Sequence, residues 1–248
     1  MRNWRPGASR SFGVLRGGLV CHRFEMVSGE EADAVVDWLY AVRRAAALGA
    51  GVASVPPLSF GRPADIPLEA IDCYPGAESP VIIAEGDELA RADLAWGVEV
   101  PWKRGLVFNA RIESALGGSG LWHKAMEQAR CIVPVHAFYE TRNVDAPSGR
   151  RPQYRFSARG SEALLLAGLR LGDRFVLVTC EPDAVVGAVH TRMPLSLTAP
   201  EALVWLNGAA DARALLGRHA PVPLVSAEEP VPAQRPKRSA DPDQLSLF

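Results

Sequence analysis

The sequence predicts an α+β fold: a single compact domain built on a mixed, largely antiparallel β-sheet or open barrel with peripheral helices. Short apolar runs of strand length, each bounded by Gly, Pro or Asp, outnumber the helical segments and do not alternate regularly with them. The 248 residues are 48% hydrophobic and 22% charged, which is typical of a globular protein with a substantial core. The formal net charge of -1 gives the whole chain no basic excess, so nucleic-acid binding would require a local basic surface.

The first expected element is an amphipathic helix over residues 29–48. Ser28 followed by Glu31 has the pattern of a capping box, and apolar side chains then recur at helical spacing. Gly49 is suited to end this helix, because glycine readily adopts the left-handed conformation that often follows a helix. Prolines and glycines dominate residues 51–76 and indicate loops or short extended pieces.

Strands and short helices are expected in the rest of the chain. The strands are expected at residues 80–84, 94–98, 131–135, 163–169 and 174–179. The helices are expected at residues 120–129, 200–206 and 210–216. No internal repeat is visible, so the sequence predicts one domain over residues 21–219.

The two ends of the chain differ from this domain in composition. Residues 1–20 form an arginine-rich leader without acidic residues, and they lack the apolar core of a signal peptide. Residues 220–248 are rich in proline and poor in apolar groups up to residue 243, which predicts a disordered tail.

Four short polar segments interrupt apolar surroundings and contain the residues best suited to catalysis. They are Val-Cys-His-Arg-Phe from residue 20, Phe-Asn-Ala-Arg-Ile-Glu from residue 108, Phe-Tyr-Glu-Thr from residue 138 and Val-His-Thr-Arg-Met-Pro from residue 189. Taken singly, each fits an ordinary structural role, since a cysteine between apolar neighbours is usually a core residue. Taken together and in order, they resemble the motifs of the SRAP family, the SOS response-associated peptidases, over about residues 21–206.

This resemblance implies a compact α+β domain that binds single-stranded DNA and traps abasic sites as a thiazolidine on an N-terminal cysteine. It implies a catalytic group of four residues: Cys21, Asn109, Glu140 and His190. It implies three arginines that contact DNA phosphates: Arg23, Arg111 and Arg192. Three aromatic residues are candidates either for stacking on bases or for the core: Trp96, Trp102 and Tyr139.

The chemistry of these residue types is consistent with aldehyde capture. A ring-opened abasic site exposes an aldehyde, and only an N-terminal cysteine carries an amine and a thiol on adjacent carbons. Such an α-amine has a pKa of about 7.7–8, so a useful fraction of it is neutral near pH 7. Glu140 and His190 are suited to the proton transfers, and the amide of Asn109 can orient the amine without adding charge.

The position of the cysteine is the main departure from the family pattern. Val20 and nineteen earlier residues precede Cys21, and while that peptide bond stands Cys21 has no free α-amine. Three explanations remain open: translation starts at Val20, the domain cleaves itself before Cys21, or the leader is retained and covalent capture is lost. The arginine-rich, unpatterned leader favours the first. His22 also stands where the family has glycine.

The last five residues form a separate motif. Gln-Leu-Ser-Leu-Phe at residues 244–248 is similar to the pentapeptide by which bacterial polymerases and repair proteins dock on the β sliding clamp. Leu245, Leu247 and Phe248 would enter an apolar pocket, Gln244 would supply a polar anchor, and the tether would raise the local concentration. The alternatives are a C-terminal strand that packs on the domain and a tail without a partner.

The sequence therefore predicts a sensor of abasic sites in single-stranded DNA that acts in the DNA damage response by near-stoichiometric, lyase-like crosslinking. The alternative enzyme is a thiol peptidase or self-processing protein, with Cys21 as nucleophile and His190 as base. The alternative binding protein is a non-covalent DNA-binding adaptor for the clamp. We expect a cytoplasmic, nucleoid-associated monomer with free thiols, without a metal, a cofactor or a membrane partner.

Overall fold

One large β-sheet organises the structure. The computed structural model describes residues 21–60, 71–142, 152–160, 163–219 and 222–229. Its strands are β1 (Phe24–Met26), β2 (Asp72–Cys73), β3 (Glu78–Glu85), β4 (Glu88–Trp96), β5 (Val98–Val100), β6 (Lys103–Val107), β7 (Asn109–Arg111), β8 (Arg130–Thr141), β9 (Gln153–Ala158), β10 (Leu164–Leu171), β11 (Arg174–Cys180), β12 (Met193–Pro194), β13 (Ser196–Leu197) and β14 (Leu224–Glu229). Its helices are α1 (Gly29–Ala47), α2 (Ile112–Leu116), α3 (Gly120–Gln128), α4 (Ala184–Gly187), α5 (Ala199–Asn207) and α6 (Ala209–Leu216), and a short 3-10 helix spans Val52–Ser54.

Twelve of the described strands form this sheet, and β5 pairs with β6 separately. The main order is β13-β10-β11-β4-β3-β8-β1-β2, and an additional pairing of β8 with β10 joins five strands in a ring. Most pairs are antiparallel, whereas β11 runs parallel to β4 and to β7. The predicted α+β fold with a largely antiparallel sheet is confirmed, and the sheet is partly ring-like without forming a barrel.

The first helix begins at the predicted residue and ends at Ala47, one residue before the predicted end. The Glu31 N–H donates to the Ser28 hydroxyl at 3.2 Å and the Ser28 N–H donates to the Glu31 carboxylate at 2.7 Å, which completes the capping box. The buried side chains of α1 recur along one face, and Gly49 follows the helix with a φ of 69°. Among the described residues, no helix combines the length and the apolar character that a membrane crossing needs.

The other predicted elements also occur, except that the strand expected at residues 94–98 is divided at Gly97 between the end of β4 and the start of β5, and β8 is longer than expected. The predicted strand at residues 131–135 extends to Thr141, and all its residues except the two terminal ones are buried. A strand covered on both faces tolerates polar residues only where they find buried partners. This extension places Glu140 inside the protein, next to the beginning of the described chain.

The predicted disordered tail is wrong for part of its length. Residues 224–229 form β14, which pairs antiparallel with β9 over six residue pairs. Leu224 is buried, and the Tyr154 hydroxyl donates to the carboxylate of Glu228 at 2.7 Å. These six residues contain no proline, although Pro223 and Pro230 flank them, so the composition of the whole segment concealed a short strand. Residues 230–248 lie outside the described residues.

Successive side chains along the strands point alternately into two apolar clusters, one on each face of the sheet. Ile82 of β3 joins a cluster that α1 and α5 cover, whereas its neighbours Val81 and Ile83 join the other cluster. Such alternation is expected of strands buried on both faces. The second cluster also contains Cys21 and Trp96, so the predicted nucleophile is buried as part of a packed core.

Candidate active site

Cys21 lies just before β1, beside the end of β8. The two strands pair antiparallel, and the Tyr139 N–H donates to the Arg23 carbonyl at 3.0 Å. This register brings Cys21 to Glu140, whose Oε1 accepts a hydrogen bond from the Cys21 N–H at 2.9 Å. The two residues are 119 positions apart in the chain, so only the tertiary structure joins them.

Asn109 and His190 complete the group. β7 runs parallel to β11 and places Asn109 at the site, where its Nδ2 donates to the Cys21 carbonyl at 3.3 Å. The His190 N–H donates to the Val186 carbonyl of α4 at 2.8 Å, and the ring Nδ1 lies 3.8 Å from Oε2 of Glu140. The structure thus brings together the four residues that the sequence predicted as a catalytic group.

Burial governs the charges of this site. Glu140 has no exposed surface, and desolvation raises the pKa of its carboxyl well above the usual range, although the bond from the Cys21 N–H acts in the opposite direction. The pKa of the Cys21 thiol is also raised well above its usual value, first by burial and then by the neighbouring Glu140. The site therefore favours a protonated carboxyl beside a protonated thiol. A carboxylic acid that keeps its proton at neutral pH is suited to general acid catalysis.

The backbone of Cys21 is strained. Its φ of 30° is the only positive φ of a non-glycine residue in the described ranges. An L-amino acid is disfavoured in this region, so such a conformation persists only where surrounding contacts hold it. Here the hydrogen bonds to Glu140 and from Asn109 hold the nitrogen and the carbonyl of the residue.

Among the three arginines predicted to contact phosphates, only Arg111 is exposed. Arg23 is 6% exposed, and its guanidinium forms an ion pair with Asp72 at 2.7 Å and donates to Gln153 at 3.0 Å. This burial contradicts the predicted phosphate contact of Arg23, because its charge is already paired inside the protein. Arg192 is half-buried and forms a two-pronged ion pair with Glu113.

Comparison with known proteins decides the family. A family model described as SOS response associated peptidase (SRAP) matches residues 59–228. The chain belongs to the SRAP family. The matched residues include Asn109, Glu140 and His190 and extend into β14. Cys21 precedes them, so its place in this SRAP site rests on the geometry described above.

Two curated relatives from Bacillus subtilis (strain 168) are similar over part of the chain. Abasic site processing protein YoqW is 30% identical over 140 residues, which cover 51% of this chain and 61% of that protein. Abasic site processing protein YobE is 29% identical over 140 residues, which cover 51% of this chain and 63% of that protein. This SRAP chain thus matches about three-fifths of the length of these relatives.

Solved structures share the fold at low sequence identity. A phage-related protein from Bordetella bronchiseptica superposes with a TM-score of 0.60 at 22% identity, covering 84% of this chain and 94% of that one. A protein from Bacteroides thetaiotaomicron superposes with a TM-score of 0.53 at 18% identity, covering 84% and 91% of the two chains. These likenesses establish the fold of the SRAP domain and nothing beyond it.

The three candidate stacking residues of this SRAP domain differ in solvent exposure. Trp96 and Tyr139 have no exposed surface and belong to the interior. Trp102 is 65% exposed in the turn between β5 and β6, and the neighbouring Lys103 and Arg104 are exposed as well. An exposed indole beside two cations is suited to stacking on a base while the cations meet the backbone phosphates.

Sequence reasoning missed a buried polar network behind the SRAP site. Glu25 has no exposed surface, and Arg155 bonds both its carboxylate oxygens, at 2.9 and 2.6 Å. The Tyr139 hydroxyl donates to the same carboxylate, and the Arg23 guanidinium lies 3.9 Å above the Tyr139 ring. The alternation of a strand predicts that Arg23 and Glu25 share a face. No spacing in the sequence reveals that Arg155 lies opposite them.

The remaining thiols offer no second reactive group among the described residues. Burial raises the pKa of Cys73 and of Cys131 to about 12 and that of Cys180 to about 11. Thiols of this kind are poorly ionised and weakly nucleophilic near neutral pH. No group of three or more His, Cys, Asp or Glu side chains in the described ranges could hold a metal ion.

Proposed function

We propose that this protein captures abasic sites in single-stranded DNA, with Cys21 as the covalent nucleophile. The observation that carries the proposal is the 2.9 Å contact between the Cys21 nitrogen and the buried carboxyl of Glu140. The names of the Bacillus relatives, abasic site processing proteins, support the same substrate class. The thiazolidine is the product that an N-terminal cysteine and an aldehyde would form here.

The reaction requires Cys21 as the first residue of the mature chain. Its neutral α-amine attacks the aldehyde carbon of the opened sugar, and the carbinolamine loses its hydroxyl as water when Glu140 donates a proton. The Cys21 thiol then adds to the carbon of the protonated imine, and its proton passes to the Glu140 carboxylate as the ring closes. One aldehyde and one aminothiol give one thiazolidine and one water, and Glu140 regains its proton.

His190 and Asn109 support these steps from two sides. The Nδ1 of His190 lies 3.8 Å from Oε2 of Glu140, so a small approach would let the two groups share a proton. The Asn109 amide holds the Cys21 carbonyl and thereby fixes the direction of the Cys21 nitrogen. Oε2 of Glu140 is buried without a hydrogen bond from the described residues, and a substrate hydroxyl would satisfy it.

The test uses a chain in which Met precedes Cys21 directly, so that removal of the initiator exposes the aminothiol. It is incubated with a single-stranded oligonucleotide that contains one abasic site, and the product is resolved on a denaturing gel and by intact mass. We expect a stable adduct with the summed mass of protein and DNA less one water. The Cys21→Ala chain is the control, and the chain beginning at Met1 is a second control when its intact mass shows that residues 1–20 are still attached. If the exposed aminothiol gives no adduct, the proposal is wrong.

We also propose a second activity, hydrolysis of the peptide bond before Cys21, which the positive φ of that residue favours. The Cys21 thiol would attack the Val20 carbonyl carbon, Glu140 would protonate the leaving nitrogen that it already contacts, and the thiol proton would return to Glu140. Water would then hydrolyse the thioester, releasing residues 1–20 with a new carboxylate and leaving the free aminothiol. A time course of intact mass for the purified full chain tests this. A full-length mass that never changes would eliminate it.

Binding to the sliding clamp through residues 244–248 remains a further proposal. Its support is the sequence motif, because these residues lie outside the described part of the structure. If Cys21 is never exposed, a clamp-tethered protein that binds DNA without a covalent bond would be the function that the same motifs favour.

A further inference from the structure

The guanidinium of Arg192 ties three separate parts of the chain together. Its Nη1 and Nη2 donate to the two carboxylate oxygens of Glu113 at 2.7 and 2.9 Å. Nη2 also donates to the Thr179 carbonyl of β11 at 2.6 Å. The Arg192 side chain is 13% exposed, whereas the Glu113 side chain at the start of α2 is 56% exposed. The guanidinium is therefore fixed by a buried backbone carbonyl on one side and by a surface carboxylate on the other.

The main chain of Arg192 meets the ring of His190. The Arg192 N–H donates to Nδ1 at 3.2 Å, and the Arg192 carbonyl lies 3.0 Å from the same nitrogen. When His190 is neutral, Nδ1 can accept the N–H, and when it is protonated, Nδ1 can donate to the carbonyl. One residue thus offers a partner for both protonation states of the nitrogen that faces Glu140.

We infer that Glu113 is a positioning residue for His190, acting through Arg192. The inference rests on the proposed function, in which His190 shares protons with Glu140. Fixing the Arg192 side chain at Glu113 and Thr179 fixes the backbone at residue 192. That backbone in turn holds Nδ1 of His190 at 3.8 Å from Oε2 of Glu140.

The same contacts argue against a phosphate contact for Arg192. A two-pronged carboxylate and a carbonyl already occupy both terminal nitrogens, and the side chain is mostly buried. A phosphate would have to displace Glu113, whose carboxyl pKa is held below its usual range mainly by the bond from Arg192. Arg111 is exposed to solvent and is therefore the better phosphate contact.

Other ionisable groups near this chain of contacts are few in the described residues. Glu140 lies on the site side of His190, with its Oε2 3.8 Å from Nδ1. Arg111, Cys180 and Asp183 lie around the Arg192 and Glu113 pair. The two sets are distinct, so replacing Glu113 changes the support of His190 without removing a group that would touch the substrate.

The first experiment separates binding from reaction. In the chain that begins at Cys21, Glu113→Ala and Arg192→Lys are compared with Glu85→Ala, which replaces an exposed carboxylate on β3. Affinity is measured on an intact single-stranded oligonucleotide, and the crosslinking rate on an abasic one at saturation. For Glu113→Ala we expect an affinity no weaker than that of the parent, because the change releases the Arg192 guanidinium, and a rate roughly 10- to 100-fold lower, since small misplacements of catalytic groups have effects of this size. Glu113→Asp should restore part of the rate.

A second measurement reports on His190 itself. The ¹⁵N shifts of its ring are recorded in the full chain, assigned with His190→Gln, and compared between the parent and Glu113→Ala. We expect a single tautomer with an unprotonated Nδ1 in the neutral parent and an averaged shift in the variant. Unchanged ring shifts, or a loss of DNA affinity as large as the loss of rate, would overturn the inference. This measurement needs no crosslinking, so it decides the role of Glu113 even if the parent chain forms no adduct.

Discussion

The carboxyl of Glu140 is buried against the Cys21 nitrogen, and its pKa in the folded protein is raised by desolvation. In an unfolded chain a glutamate has a pKa of about 4.3. Because the folded value is the higher one, the protonated carboxyl stabilises the fold fully below the unfolded value. That contribution is lost as the pH rises through the folded pKa. Burial of this carboxyl therefore costs stability at pH values above its raised pKa.

Replacing Glu140 with glutamine should separate these two effects. The Glu140→Gln chain is expected to unfold at a higher urea concentration than the parent at pH 8, and the advantage should shrink as the pH falls toward 4. Its crosslinking rate should fall by about 10²- to 10⁴-fold, which is the usual contribution of a general acid. Urea titrations across pH and single-turnover crosslinking measure both. A stability difference that does not vary with pH would contradict the argument.

The pair of Glu25 and Arg155 gives a prediction about stability at the same scale. Arg155→Ala would leave the carboxylate of Glu25 buried without its two-pronged partner. Breaking a buried ion pair from one side costs about 3–5 kcal/mol in the free energy of unfolding. Arg159→Ala, at an exposed position nearby in the chain, should change it little. Equal unfolding midpoints for the two variants would show that Glu25 is not held as described.

Arg111 yields a prediction about DNA affinity. Each cation that neutralises a phosphate contributes about 0.7 to the slope of log affinity against log salt for a single strand. We expect Arg111→Ala to weaken binding of an intact oligonucleotide and to lower that slope by about this amount. Arg23→Ala, by contrast, should lower stability through its buried pair with Asp72 and leave the slope of the folded protein unchanged. Identical slopes for Arg111→Ala and the parent would remove Arg111 from the DNA contacts.

At the scale of elements, β14 extends the folded domain to residue 229 at least. Truncation after residue 229 should leave the free energy of unfolding close to that of the full chain, because the pairing with β9 is retained. Truncation after residue 223 should lower it measurably, since β9 loses a neighbour and Leu224 leaves the core. Urea unfolding of the two truncated chains tests the boundary. If both unfold alike, β14 contributes nothing to the stability of the domain.

Several elements were predictable because each carries its own local signal. The capping box at Ser28 and Glu31 marks α1, and the apolar runs mark β3, the end of β4, β8, β10 and β11. β14 lacks such a signal, because four of its six side chains are exposed and its stability comes from backbone pairing with β9. A strand stabilised chiefly by its neighbour cannot be found from composition, and here the flanking prolines indicated the opposite.

The same reasoning explains which parts of the site were foreseen. Cys21, Asn109, Glu140 and His190 belong to ordered motifs, and the structure brings all four together. The roles of the arginines could not be predicted in this way. The sequence around an arginine does not show whether its side chain is exposed to solvent or paired with an acidic residue of the same protein. Only the fold shows that Asp72 pairs with Arg23 and that Glu113 pairs with Arg192.

At the scale of the whole molecule, the tail motif gives a prediction that involves a partner. The chain carries Gln-Leu-Ser-Leu-Phe at residues 244–248, nineteen residues or fewer beyond the end of β14. We expect the full chain to bind a purified bacterial β sliding clamp and the chain lacking residues 244–248 to lose that binding, with DNA affinity unchanged. A chain in which Leu247 and Phe248 are replaced by alanine is the matched control for length. Equal clamp affinity with and without the motif would exclude this role.

The contact between the Cys21 nitrogen and Glu140 exists while the nitrogen is still part of a peptide bond. If residues 1–20 are removed, as proposed above, the carboxyl of Glu140 already contacts the nitrogen that becomes free. If the long form, which retains these residues, also binds the proposed DNA substrate, it would occupy lesions without reacting and shield them from the short form. Damage tolerance would then follow the ratio of the two forms, and an excess of unprocessed chains would act as a dominant inhibitor.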